Sequence, residues 1–138
     1  MRTLVDTSVW VGYFDGVLSR ETDHLHNLLG QGYLETADLI AAEVLAGYTQ
    51  EDTFAKVKDA LDRFHLHPLG GRENALAAAD LSRRLRAEHN VRTPNVVDSL
   101  IATFCLRANL VLLHADPAFE PFEEHLGLRP ALPRRVVL

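Results

Sequence analysis

The sequence predicts an α/β fold in three layers, with helices on both sides of a mainly parallel central sheet. Three observations carry this. Thr3-Leu4-Val5 near the start and Leu110-Val111-Leu112-Leu113-His114 near the end are short apolar runs, the form a parallel strand takes when both of its faces are buried. Longer stretches with apolar residues at helical spacing lie between them. Short strands alternating with helices are the pattern of a sheet built from crossover connections. No repeat, low-complexity stretch or internal linker interrupts the 138 residues, so one domain spanning 1–138 is expected.

The elements follow in order. The first strand ends at Asp6, and Thr7 or Ser8 is expected to cap a helix over Ser8 to Phe14, broken by Asp15-Gly16. Ser19 caps a second helix that runs to Leu29 and stops at Gly30 and Gly32. Tyr33 to Thr36 is a short strand. Asp38 to Tyr48 and Glu51 to Phe64 are helices; Phe54, Val57, Leu61 and Phe64 share one face of the latter. Phe64 to Leu69 is a strand candidate ended by Gly70-Gly71. Arg72 to His89 is the longest helix, rich in Ala and Leu. Asn90 to Asn95 is a loop in which Pro94 favours a turn. Asn95 to Ala108 is a strongly apolar helix, Leu110 to His114 a strand, Pro117 to His125 a short helix, and Arg134 to Leu138 a last edge strand.

Composition narrows the function. Nearly half the residues are apolar and a quarter charged, which is ordinary for a soluble globular protein. Met1-Arg2 leads straight into a strand-like run too short for a signal peptide or membrane span, so a cytoplasmic protein with no membrane contact is expected. Cys105, the only cysteine, lies in an apolar helical pattern and reads as a packed core thiol rather than a nucleophile. The net charge of −5 is an awkward start for a nucleic-acid binder. Arg83, Arg84, Arg86 and Arg92 crowd one stretch, which reads as a solvated helix face before a phosphate-tracking surface. His65 and His67 share a strand face, and His24 and His26 lie two apart on a helix. Neither pair finds a third ligand in sequence.

Four acids stand out. Asp6 and Asp116 each follow an apolar strand and precede a helical pattern, so they hold equivalent places in the architecture. If their strands are neighbours, the two carboxylates lie side by side at the carboxyl ends of the strands, where ligands bind in open α/β sheets. Glu43 and Asp98 lie within apolar helices without obvious basic neighbours; the nearest to Asp98 is Arg92. Taken singly, each has an ordinary explanation: Asp6 and Asp116 as helix caps, Asp98 as a complement to a helix dipole, Glu43 as a surface residue. Taken together, four carboxylates without basic partners call for a hard divalent cation. Oxygen donors without a His or Cys set suit Mg²⁺ or Mn²⁺ better than Zn²⁺. Such ions activate water and stabilise the leaving oxygen in displacement at phosphorus.

The ordered set Val5-Asp6-Thr7-Ser8-Val9-Trp10, Ala42-Glu43-Val44-Leu45-Ala46-Gly47, Val97-Asp98-Ser99-Leu100-Ile101-Ala102 and Leu112-Leu113-His114-Ala115-Asp116-Pro117-Ala118-Phe119 resembles a PIN domain of the VapC toxin family, over essentially the whole chain. The resemblance implies a PIN-like fold. It implies a Mg²⁺- or Mn²⁺-dependent endoribonuclease, the toxin of a type II toxin–antitoxin pair. It further implies a homodimer, and a VapB-like antitoxin whose tail enters the acidic site. Carried over by position, Asp6, Glu43, Asp98 and Asp116 match the family's acidic quartet, and Ser8 matches a hydroxyl beside the metal site. Asp6, Asp98 and Asp116 would hold the metal directly or through water; Glu43 would bind a second metal or orient the attacking water. Hydrolysis would leave a 5′-phosphate and a 3′-hydroxyl. Thr7, Ser8 and His114 are expected around substrate or just behind the acids. The chain departs from the family pattern at His114, where a Thr is usual, and at Ala118, where a second Asp is usual.

Other strand-end carboxylate proteins fit less well. A haloacid-dehalogenase-type phosphatase needs an Asp where Ser8 stands, and a response-regulator receiver needs a late Lys, yet none follows Lys58. A dinucleotide site needs a Gly-rich first turn, and Asp6 to Trp10 has no glycine. The alternative from another class is a catalytically weak or silent PIN-like module acting through protein or RNA binding. His114 and Ala118 motivate it.

Overall fold

Every strand runs in the same direction, and this sets where a site forms. The computed structural model describes residues 1–92 and 95–134. Among these, β1 (Thr3–Val5), β2 (Leu34–Ala37), β3 (Leu66–His67) and β4 (Val111–Leu113) make one four-stranded sheet in the order β3-β2-β1-β4. β1 pairs in parallel with β2 (Thr3 with Leu34) and with β4 (Val5 with Leu113), and β2 with β3 (Ala37 with His67). Parallel neighbours need crossover connections, which here are helical. α1 (Thr7–Phe14) and α2 (Arg20–Leu28) link β1 to β2. α3 (Asp38–Ala46) and α4 (Glu51–Leu61) link β2 to β3. α5 (Arg72–His89) and α6 (Val96–Ala108) carry the chain back across to β4. A 3₁₀ turn (Pro117–Phe119) and α7 (Glu120–Leu126) follow. The result is the three-layer α/β/α fold with a parallel sheet that the sequence predicts.

The strand order contains a switch. The chain moves outward from β1 to β2 and β3, then returns to the other side of β1 as β4. The connections leaving β1 and β4 therefore diverge and open a crevice beyond the carboxyl ends of these two strands, the place where open parallel sheets bind ligands. The Asp6 N–H donates to the Leu113 carbonyl at 2.9 Å, so the two strand ends are tied together at the floor of the crevice.

The core explains why these segments fold as they do. Leu4, Val5, Leu112 and Leu113 are essentially inaccessible, as strands covered on both faces require. Trp10, Ile40, Ile101, Phe119 and Phe122 bring the helices onto the sheet, and Trp10 meets Phe14 and Phe64 ring to ring. α5 and α6 pack against each other, and α1 against both α2 and α3. Cys105 is 1% exposed, and burial pushes its thiol far up, so it is an inert core group. Beyond α7 the chain returns along the free edge of β4: the Leu112 N–H donates to Arg129 and the Ala131 N–H to Leu112, covering that edge.

Several boundaries differ from expectation for local reasons. α1 starts at Thr7 because Asp6 itself is the cap, accepting from the Ser8 N–H at 3.4 Å; neither Thr7 nor Ser8 plays that part. Ser19 does cap α2, in a reciprocal capping box with Thr22. The strand candidate Phe64 to Leu69 shrinks to Leu66–His67, since the Phe64 N–H still bonds back to Leu61 at the end of α4. Pro117 to His125 is two elements, a 3₁₀ turn capped by Asp116 and then α7. The expected turn at Pro94 lies outside the described residues, as does the edge strand beyond Arg134. Arg83 pairs with Asp80 and Arg84 with Glu88 on the exposed side of α5, the solvated face expected there. His26 bonds the Tyr13 hydroxyl at 2.9 Å, and the His65 and His67 rings meet edge to face. Among the described residues, no helix is long and apolar enough to cross a membrane.

Burial sets the size of the expected mutational effects. Leu4→Ala, at a fully covered position of a central strand, is expected to cost about 2–5 kcal/mol of unfolding free energy. Ser19→Ala, which removes one cap, is expected to cost about 1 kcal/mol. Urea unfolding of the two variants beside the parent measures both.

Candidate active site

Acids from four separate segments come within electrostatic reach of one another near the carboxyl ends of β1 and β4, with Asp98 feeling the other three. Asp6 is the first residue after β1 and is 4% exposed. Its Oδ2 accepts the Ser8 hydroxyl at 2.7 Å, so the cap bond and the Ser8 side chain together fix the carboxylate's direction. Asp116 lies three residues after β4. Its Oδ1 accepts the Ala118 N–H at 2.9 Å, and its own N–H donates to His114 Nδ1 at 3.2 Å. Asp98 projects from the first turn of α6. That turn is held by Asn95, whose side chain accepts the Val97 N–H at 2.7 Å. Glu43 is on α3, and its Oε1 accepts the Thr7 hydroxyl at 2.7 Å, which ties α3 to the start of α1.

Electrostatics reports the convergence directly. The Asp98 carboxyl is pushed up to about 6, first by burial and then by the negative charges of Asp6, Asp116 and Glu43. The charges of the other three acids therefore all reach Asp98. Burial also pushes the Asp6 carboxyl up, against the lowering effect of its Ser8 bonds. Among the described residues, no Lys or Arg forms an ion pair with any of the four. The donors are hard oxygens and, among the described residues, have no Lys or Arg paired with them, so the set fits a divalent metal ion of the Mg²⁺ type. Among the described residues, no three acidic, His or Cys side chains close into a ready coordination sphere.

The sequence-predicted residues fare differently in detail. Asp6, Asp98, Asp116 and Glu43 are brought together. Glu43, however, stands on the exposed side of α3, so the expectation that it lies on an apolar face was mistaken. The helix buries Ile40, Ala41 and Val44 instead. Thr7 and Ser8 each bond an acid, Thr7 to Glu43 and Ser8 to Asp6. His114 has both ring nitrogens engaged within the protein, Nδ1 by the Asp116 N–H and Nε2 by Glu123 at 2.9 Å, which leaves neither for a substrate phosphate. Asp38 follows β2 as Asp6 follows β1, but its Oδ1 accepts the N–H groups of Leu39 and Leu69, a structural use. Glu123, which extends the His114 contact, has no signal in the sequence, and Arg134 is expected there only as a C-terminal basic residue opening an edge strand. Glu123 lies 9 residues beyond His114 on α7, and Arg134 lies 11 residues beyond Glu123 in the loop that follows, so no local motif marks the contact.

The metal-free protein carries a pH signature. Asp98 and Asp6 bind protons more tightly folded than unfolded, so their ionisation opposes folding. The Asp98 contribution is absent below about pH 4, develops as pH rises through about 6, and is fully present above it. Asp98→Asn is therefore expected to raise stability in EDTA at pH 8 by about 1 kcal/mol, with the gain vanishing at pH 4. Thermal unfolding of the parent and the variant across this range measures the difference.

Comparison with known proteins agrees with this geometry. The family model described as PIN domain matches residues 3–124. The chain is 28% identical over 131 residues to "VapC ribonuclease Mb1587" of Mycobacterium bovis, covering 93% of this chain and 96% of that protein. The same identity and coverage hold for "Ribonuclease VapC11" of Mycobacterium tuberculosis. A crystal structure of VapBC2 from Rickettsia felis, bound to a DNA fragment from its promoter, superposes with a TM-score of 0.73 at 16% identity. It covers 94% of this chain and 97% of that one. With the parallel sheet and the strand-end acids in place, the match over residues 3–124 identifies this chain as a member of the PIN domain family.

Proposed function

We infer that this chain is a Mg²⁺- or Mn²⁺-dependent endoribonuclease, the toxin of a toxin–antitoxin pair, acting through Asp6, Glu43, Asp98 and Asp116. The observation that carries the reading is an Asp98 carboxyl raised by burial and by the charges of Asp6, Asp116 and Glu43, with no Lys or Arg paired to any of the four among the described residues. The likeness to proteins named VapC ribonuclease supports RNA as substrate. A fold neighbour that is a VapBC complex supports a VapB-like antitoxin as partner. A homodimer in the cytoplasm completes the proposal.

Asp6, Asp98 and Asp116 would hold the ion, directly or through water, with Glu43 at its edge. When bound, the metal would neutralise charge at the scissile phosphate and acidify water. The protein's own part is orientation. Ser8 holds Oδ2 of Asp6, and Thr7 holds Oε1 of Glu43, so neither carboxylate turns freely. Glu43 is the solvent-facing acid of the four and the one suited to orient the attacking water and take its proton. Asp98 is ionised above about pH 6 and ready to receive a cation. In-line attack of that water on phosphorus, with the P–O3′ bond breaking and the 3′ oxygen departing, would leave the 5′-phosphate and 3′-hydroxyl that the family resemblance implies.

The test is cleavage of a mixed RNA pool by purified, antitoxin-free protein with Mg²⁺ or Mn²⁺ and with EDTA. Metal-dependent cutting is expected, with Asp6→Asn reduced to the EDTA level while its melting profile stays cooperative. Parental cutting by Asp6→Asn, or no binding of Mg²⁺ or Mn²⁺ at millimolar metal by calorimetry, would sink the nuclease reading. The second outcome would favour a silent binding module.

A further inference from the structure

We propose that His114 is a positioning residue for Asp116, using its ring to join the turn after β4 to Glu123 of α7. The proposal rests on the nuclease reading above in taking Asp116 as one of the acids that hold the metal.

The ring is fixed from every direction the structure provides. The Asp116 backbone N–H donates to Nδ1 at 3.2 Å, so Nδ1 is an acceptor and carries no proton. The ring proton is therefore on Nε2, which donates to Glu123 Oε2 at 2.9 Å. The two side chains are only 11% and 10% exposed, so water competes weakly for this bond. One face of the ring lies against Phe119, with centroids 4.9 Å apart, and Phe119 is fully buried in the core. Glu123 is held in turn: Arg134 Nη2 donates to its Oε1 at 3.4 Å and Nη1 to Glu124 at 2.8 Å. A continuous chain runs from Arg134 through Glu123 and His114 to the Asp116 amide.

The arrangement has a local purpose. Asp116 lies three residues past its strand, unlike Asp6, which follows β1 directly and is tied to Leu113. Between β4 and the 3₁₀ turn, His114 to Asp116 have no sheet pairing to set their backbone. The His114 bond supplies the missing restraint on the N–H side of Asp116, and the Ala118 N–H restrains its carboxylate. Outer partners of metal-holding groups typically change metal affinity by about 10–100-fold when removed.

The experiment compares the parent with His114→Leu and His114→Asn. Leu keeps an apolar side chain against Phe119 but offers no acceptor. Asn places a carbonyl oxygen where Nδ1 stands and keeps the acceptor for Asp116. Three readouts are taken: Mn²⁺ affinity by calorimetry, hydrogen exchange of the Asp116 amide, and melting temperature. His114→Leu is expected to weaken Mn²⁺ binding by about 10-fold or more and to speed exchange at Asp116. His114→Asn is expected to restore both towards the parent. Parental Mn²⁺ affinity in His114→Leu, with only the melting temperature lowered, would make the contact purely structural and overturn the proposal. Equal loss in both variants would also overturn it, because the acceptor would then be irrelevant. A parent that takes up no Mn²⁺ would overturn the metal reading instead; the Asp116 amide would then decide the positioning by itself, unchanged exchange in His114→Leu refuting it and faster exchange upholding it.

Discussion

Uncompensated negative charge at the carboxyl ends of β1 and β4 is the constraint on which the rest of this structure turns. Asp6 is almost fully covered, and Asp98 is pushed up to about 6 first by burial and then by its three acidic neighbours. A buried carboxylate normally has a cation or a dense set of donors. Here the arginines with assigned partners pair elsewhere: Arg2 with Glu35, Arg83 with Asp80, Arg107 with Glu73, Arg134 with the acids of α7. Among the described residues, none of these pairs involves Asp6, Glu43, Asp98 or Asp116, and the proposed metal ion would answer their charge.

The same turns carry the acids and start the helices. Asp6 and Asp116 each accept the backbone N–H two residues on, a capping bond that satisfies a donor the helix would otherwise leave open. The ordinary structural explanation holds for both residues, and the metal-holding role proposed for them uses the same placement. This economy ties the direction of each carboxylate to the formation of its helix. Side-chain hydroxyls finish the task for Asp6 and Glu43. Asp116, further from its strand, relies on the ring of His114.

How much was legible beforehand depends on the range over which the cause acts. The alternation of buried strands and helices, the capping by Ser19 and the span of α5 follow from residues a few positions apart. Asp6 and Asp116 were recognisable because each sits at a strand end, a local property. Glu43 was found for a mistaken reason, its supposed apolar setting; composition around a helical residue does not say which way that residue points. Asp38 had the same local signature as Asp6 yet serves Leu39 and Leu69, since only the packing of β3 against β2 brings Leu69 to it.

The sequence by itself determined the element types, the parallel α/β class and the four acids, because hydrophobic period, caps and strand-end position are written in near neighbours. Tertiary structure alone decided that β1 pairs with β4, that the charges of Asp6, Asp116 and Glu43 reach Asp98, and that His114 faces Glu123 and Asp116 rather than solvent. These depend on the order of strands in the sheet and on contacts between residues as far apart as Thr7 and Glu43. Such contacts are chosen by the packing of the whole core, and no stretch of the chain encodes them alone.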